Sequence, residues 1–133
     1  MSMMAVLAVP MLSRTAGQAR LKSTVATLAS ELRQARSDAI LRAEVRGVVI
    51  DPKTRTFGPV GTPDRNRIAD GIAVAIETAD IAADANGRPG IRFLPDGRST
   101  GGTIRLGDRD RVFEIEVNWL TGRVRVAEPG DGS

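Results

Sequence analysis

The sequence predicts an α+β fold: one long N-terminal helix packed on a C-terminal antiparallel β domain of about seven short strands. Three observations lead there. From Arg14 to Glu44 the chain has no proline and only Gly17. Within that stretch Leu21, Val25, Leu28, Leu32, Ala35 and Ala39 step by 4, 3, 4, 3 and 4 residues, which traces one face of an amphipathic helix. After Gly47 the pattern changes to short runs of β-branched residues, cut by Gly, Pro, Asn and Asp. Helical and extended segments are thus segregated along the chain, which argues against a parallel α/β sheet.

The helix is expected over residues 21–46, with Arg20, Lys22, Glu31, Arg33, Arg36 and Arg42 off the apolar stripe. Leu21, Val25, Leu28 and Leu32 are its residues for packing on the β domain. Asp38 and Arg42 stand in the favoured acid-first spacing, worth about 0.3–0.5 kcal/mol. Gly47 is the expected stop. Ahead of the stripe, residues 1–20 carry an all-round apolar run that includes Met4, Val6, Leu7, Val9, Pro10, Met11 and Leu12. A run this short falls below the roughly 20 apolar residues that cross a bilayer, and no basic residue precedes it as in a secretory signal. It reads as the lower part of a stem. A one-sided stripe cannot bury it, so residues 3–12 are expected either to disorder or to pair with another copy.

The β domain is expected over residues 47–128. Arg46 to Asp51 forms a strand, Asp51-Pro52-Lys53 a turn, and Arg55 to Val60 a second strand. Residues 58–71 read as a loop, Ile72, Val74 and Ile76 as a strand, and 79–90 as another loop. Strands follow at Ile91 and Phe93, and at Ile104 and Leu106. Phe113, Ile115, Val117 and Trp119 alternate with Glu114, Glu116 and Asn118, and Thr121-Gly122 turns the chain into Val124 and Val126. Residues 129–133 are expected to be a disordered tail.

Composition narrows the function. At 133 residues, with 41% hydrophobic and 26% charged residues, the chain fits one globular domain. It contains no Cys, His or Tyr. That excludes cysteine nucleophiles, His-based triads, the usual zinc sites and disulfides. A net charge of +3 is too small to announce a polyanion partner. No cofactor, metal site or small-molecule substrate is expected, and no catalytic constellation is present.

Three segments resemble the GspH/FimT family of minor pseudopilins and minor pilins, within the type IV pilin superfamily. Glu31 to Ile40 is similar to that family's helix exit. Ile91 to Ile104 resembles its F-x-P-D-G and Gly-Gly signature, here Phe93-Leu94-Pro95-Asp96-Gly97 and Gly101-Gly102. Asn118 to Val126 resembles its closing hairpin. The resemblance implies a pilin-like fold and a structural, non-enzymatic minor pseudopilin of a type II secretion pseudopilus. Such a subunit would be anchored in the inner membrane with its β domain in the periplasm, and would assist export of folded proteins. Its partners would be other minor pseudopilins and the major pseudopilin, met through the stem residues. Family precursors carry a basic leader and Gly-Phe-Thr-x-x-Glu, where a prepilin peptidase cuts and methylates. This sequence shows neither, and Pro10 falls where the family's stem usually kinks, so the resemblance implies that about a dozen stem residues are missing from its start.

The alternative is a FimT-like minor pilin that binds DNA for uptake. Gly122-Arg123-Val124-Arg125 has the form of that group's G-R-x-R motif, which would make Arg123 and Arg125 the DNA contacts. The competing reading is a solvated strand face paired with Glu114 or Glu116 across the hairpin. Gly97, Gly101 and Gly102 read as turn glycines, since no Gly-Lys-Ser/Thr follows them. Asp108 and Asp110 lack the remaining ligands of a calcium loop and read as a polar turn.

Overall fold

The computed structural model describes residues 2–79 and 83–128, with side chains described from Ala19 onward. The stem side chains Met4, Val6, Leu7, Val9, Pro10, Met11 and Leu12, the expected disorder or pairing of 3–12, and the expected tail disorder lie outside the described residues. Helix α1 spans Ser2–Arg42. At 1.5 Å per residue that is about 60 Å. Among the described residues eight strands follow: β1 Arg46–Asp51, β2 Thr56–Pro59, β3 Asn66–Arg67, β4 Ala73–Thr78, β5 Gly90–Phe93, β6 Gly102–Gly107, β7 Val112–Val117 and β8 Val124–Ala127.

The helix ends sooner than Gly47. Ala43 takes a left-handed conformation with φ 53°, and the amide of Glu44 donates to the carbonyl oxygen of Ala39 at 3.2 Å. That bond and the left-handed residue together form a Schellman cap, which satisfies one orphan carbonyl of the last turn. An alanine occupies the position where glycine is usual, so this signal was silent in the sequence. The expected Asp38–Arg42 pair gives way to a different one: Gln34 Nε2 donates to Asp38 Oδ1 at 3.1 Å, one turn earlier.

The strands form two antiparallel sheets of four, in the orders β3-β2-β1-β5 and β4-β6-β7-β8. In the first, Ile50 faces Phe57 and Val48 faces Ile91; in the second, Ile104 faces Ile115 and Glu116 faces Arg125. Strand β3 falls inside the expected loop 58–71. It is two residues long and pairs Asn66 with Phe57, so it has no hydrophobic alternation to announce it.

Leu21, Val25, Leu28 and Leu32 of α1 are buried in one cluster with Ile50, Phe57, Ile91, Phe93, Ile104, Leu106 and Ile115. The helix therefore covers residues from both sheets. Each fully buried Leu or Phe contributes about 1.5–3 kcal/mol relative to exposure. Strand β1 is buried at Val48, Val49 and Ile50 in succession: Val48 and Ile50 belong to the core cluster with α1, and Val49, on the opposite face, is buried outside that cluster. That explains why it reads as a continuous apolar run. Trp119 departs from the expected alternation. It lies beyond the end of β7 and is 63% exposed.

Candidate functional site

The β5–β6 and β7–β8 connections meet α1 at one corner, and the three family-like segments meet there too. The β5–β6 connection is a turn: the Gly97 amide donates to the Leu94 carbonyl oxygen at 2.8 Å, and Gly97 has φ 93°. Asp96 Oδ1 accepts from the amide of Arg98 at 3.0 Å and Asp96 Oδ2 from its Nε at 2.7 Å. The backbone bond from Arg98, with the charged bond beside it, holds the Asp96 pKa below its ordinary value against a smaller desolvation effect.

The β7–β8 connection is longer than a two-residue turn. Asn118 and Arg123 close it, with the Asn118 amide donating to the Arg123 carbonyl oxygen at 3.0 Å. Inside, Asn118 Oδ1 accepts from the amides of Leu120 and Thr121 at 2.8 and 3.0 Å. This is an Asx turn, the usual use of Asn where the backbone must bend. Gly122 follows in the left-handed region at φ 71°.

Ser99 joins the two connections. Its amide donates to the Trp119 carbonyl oxygen and its hydroxyl to that of Asn118, both at 2.9 Å. Arg36 of α1 joins both to the helix. Its Nε donates to the carbonyl oxygens of Gly97 and Thr121, at 3.1 Å each. One turn away, Arg33 Nη2 donates to the Val124 carbonyl oxygen at 3.2 Å. Sequence reasoning set Arg33 and Arg36 aside as charges off the apolar stripe. The available signal was their spacing of three, which puts them on a common side of the helix beside that stripe.

Arg123 precedes β8 and Arg125 lies within it, and both are exposed. Arg125 Nη2 sits 3.1 Å from Glu116 Oε2, its cross-strand partner in register. The pair is exposed, at 68% and 43%, so it contributes about 0–1 kcal/mol. Arg123 instead lines a 690 Å³ groove between α1 and the β7–β8 connection, together with Arg33 and Arg36. The two arginines of the G-R-x-R segment therefore face different surroundings.

Asp108 caps the β6–β7 turn. Its Oδ1 accepts from the amides of Asp110 and Arg111, at 2.9 Å each. Those bonds, Arg111 first, hold its pKa below the ordinary value. Among the described residues no group of three or more His, Cys, Asp or Glu is placed to hold a metal ion.

Comparison with known proteins finds the same family. The family model described as Type II transport protein GspH matches residues 24–122. The chain is 31% identical over 106 residues to Type II secretion system protein H of Xanthomonas campestris pv. campestris, covering 80% of this chain. It spans 62% of that protein's length. The fold is similar to that of the minor pseudopilin EpsH from the type 2 secretion system of Vibrio cholerae. The TM-score is 0.65 at 18% identity, over 84% of this chain and 99% of that one. It is also similar to the type IV minor pilin FimU of Pseudomonas aeruginosa, with a TM-score of 0.60 at 14% identity, over 86% and 96%.

Proposed function

Because the chain belongs to the GspH family of type II transport proteins, we propose that it is a structural minor pseudopilin of a type II secretion pseudopilus. The family match carries this reading. It covers most of the helix that packs on the sheets, two of the three segments that meet at Arg36 in full, and the closing segment as far as Gly122. In this role the subunit joins other minor pseudopilins and the major pseudopilin, and assists export of folded proteins. The work is done by packing rather than by catalysis.

Helix geometry supports a division of labour. Within α1 the described residues buried in the core run from Leu21 to Ala39. Helix continues from Ser2 to Arg20, ahead of that packed half. On this proposal Met4, Val6, Leu7, Val9, Pro10, Met11 and Leu12 pack against neighbouring stems by close van der Waals contact and exclusion of lipid. The β domain then selects which subunit stands next. Among the described residues no helix is long and apolar enough to cross a membrane. Anchoring in the inner membrane, with the β domain in the periplasm, is therefore part of the proposal and rests on the family. The DNA-uptake reading has less support, since the family model is that of a type II transport protein and the similarity to the minor pilin FimU is one of fold at 14% identity.

Deleting the gene tests the proposal. Folded exoproteins should accumulate in the periplasm, and the wild-type chain should restore their export. Normal export, with DNA uptake lost instead, would replace this reading by the pilin alternative.

A further inference from the structure

We propose that the groove between α1 and the β7–β8 connection is a carboxylate-binding site that receives a short acidic segment of a partner protein. Arg33, Arg36 and Arg123 line it, together with the hydroxyl-bearing Ser37 and Thr121. No carboxylate belongs to the lining, and among the described residues none lies within 4.0 Å of any of the three guanidinium groups. Three like charges share one concave space with no acid of their own. That arrangement makes the groove a positive concavity that attracts an anion.

The groove is also built in advance. Arg36 is held by the Gly97 and Thr121 carbonyl oxygens through Nε, and Arg33 by the Val124 carbonyl oxygen through one Nη. A guanidinium has five N–H donors, so both keep donors for a ligand. Their side chains are already ordered by the fold, which lowers the entropy lost on binding. Planar guanidinium forks match carboxylate geometry in pairs.

The surroundings favour an acidic peptide over a nucleic acid. Arg125 is neutralised by Glu116 at 3.1 Å and Arg98 by Asp96 at 2.7 Å. Two arginines that flank the groove's segments in sequence are thus already paired with carboxylates, while the three in the groove have no such partner among the described residues. A phosphate backbone needs a track of several contacts, and Arg125 and Arg98 already have Glu116 and Asp96 as partners. A short run of Glu or Asp side chains needs only the groove. This inference concerns the groove alone and does not depend on which filament the chain serves.

Fluorescein-labelled hexaglutamate is the probe, read by anisotropy against the full chain at low salt. Saturable binding is expected, falling steeply as salt is added. The Arg33→Gln/Arg123→Gln pair should weaken it about tenfold or more, while Arg125→Gln should leave it unchanged. Arg33 also touches backbone, so Arg123→Glu alone provides a second variant that spares the fold, and it should abolish binding. Absence of saturable binding would overturn the proposal. So would equal loss in Arg125→Gln, or an oligonucleotide that displaces the peptide through Arg123 and Arg125 together.

Discussion

Gly122 packs so closely on the carbonyl oxygen of Gly97 that a β-carbon on Gly122 would collide with it. That β-carbon would also stand 2.9 Å from Arg36 Nε. Both glycines have positive φ, 93° and 71°. Backbone conformation and close approach demand glycine at once. Gly122→Ala should therefore destabilise the fold by at least about 2 kcal/mol, combining the left-handed penalty with a clash against backbone. Urea unfolding followed by circular dichroism reads this as a lower midpoint at unchanged slope.

Arg36 supplies the matching constraint from the helix. Removing its guanidinium leaves the Gly97 and Thr121 carbonyl oxygens without that donor. Arg36→Met keeps much of the stem and should cost about 1–3 kcal/mol. Arg33→Met, which loses one backbone bond, should cost less. Paired urea titrations would show the order.

The helix cap gives a prediction of opposite sign. Ala43 holds φ 53° without the freedom of glycine. Ala43→Gly should stabilise the protein by about 0.5–1 kcal/mol, with the gain visible as a higher thermal midpoint. A loss would show that the extra backbone entropy of glycine in the unfolded chain outweighs the relief of strain.

Asp51 sets an acid limit. Burial pushes its pKa up, but the Thr54 and Lys53 amides, the Thr54 hydroxyl and the charge of Arg88 outweigh that, so the net pKa lies below 3.8. The unfolded chain therefore takes up this proton first as pH falls. The stabilisation is fully present above the ordinary pKa of 3.8 and is lost as pH falls through the lower folded value. Stability should be flat from pH 7 to 5 and fall below about pH 4. Asp51→Asn should lower it at pH 7 and flatten the acid decline. Urea midpoints across the pH range provide the check.

Much of this was legible because local chemistry and burial agree. The stripe from Leu21 to Ala39 names the buried helix face, and β1 emerges where β-branched residues begin. Strand β3 was not legible, since Asn66 and Arg67 are held by β2 and not by their own apolarity. Trp119 misled because alternation continues in the sequence after the strand has turned away. The corner at Arg36 was out of reach for a different reason. Its bonds join residues 61 and 85 positions apart, and only the folded arrangement brings them together.

Under the proposed function the apolar first half of α1 is a filament stem that lies against neighbouring stems. The chain has no cysteine, so Leu7→Cys places a single reporter on it. In cells that carry the whole secretion system, with cysteines placed along the stem of the major pseudopilin, oxidation should yield a crosslinked pair at defined positions. Persistence of the uncrosslinked chain at every stem position tried, with export intact, would contradict the account.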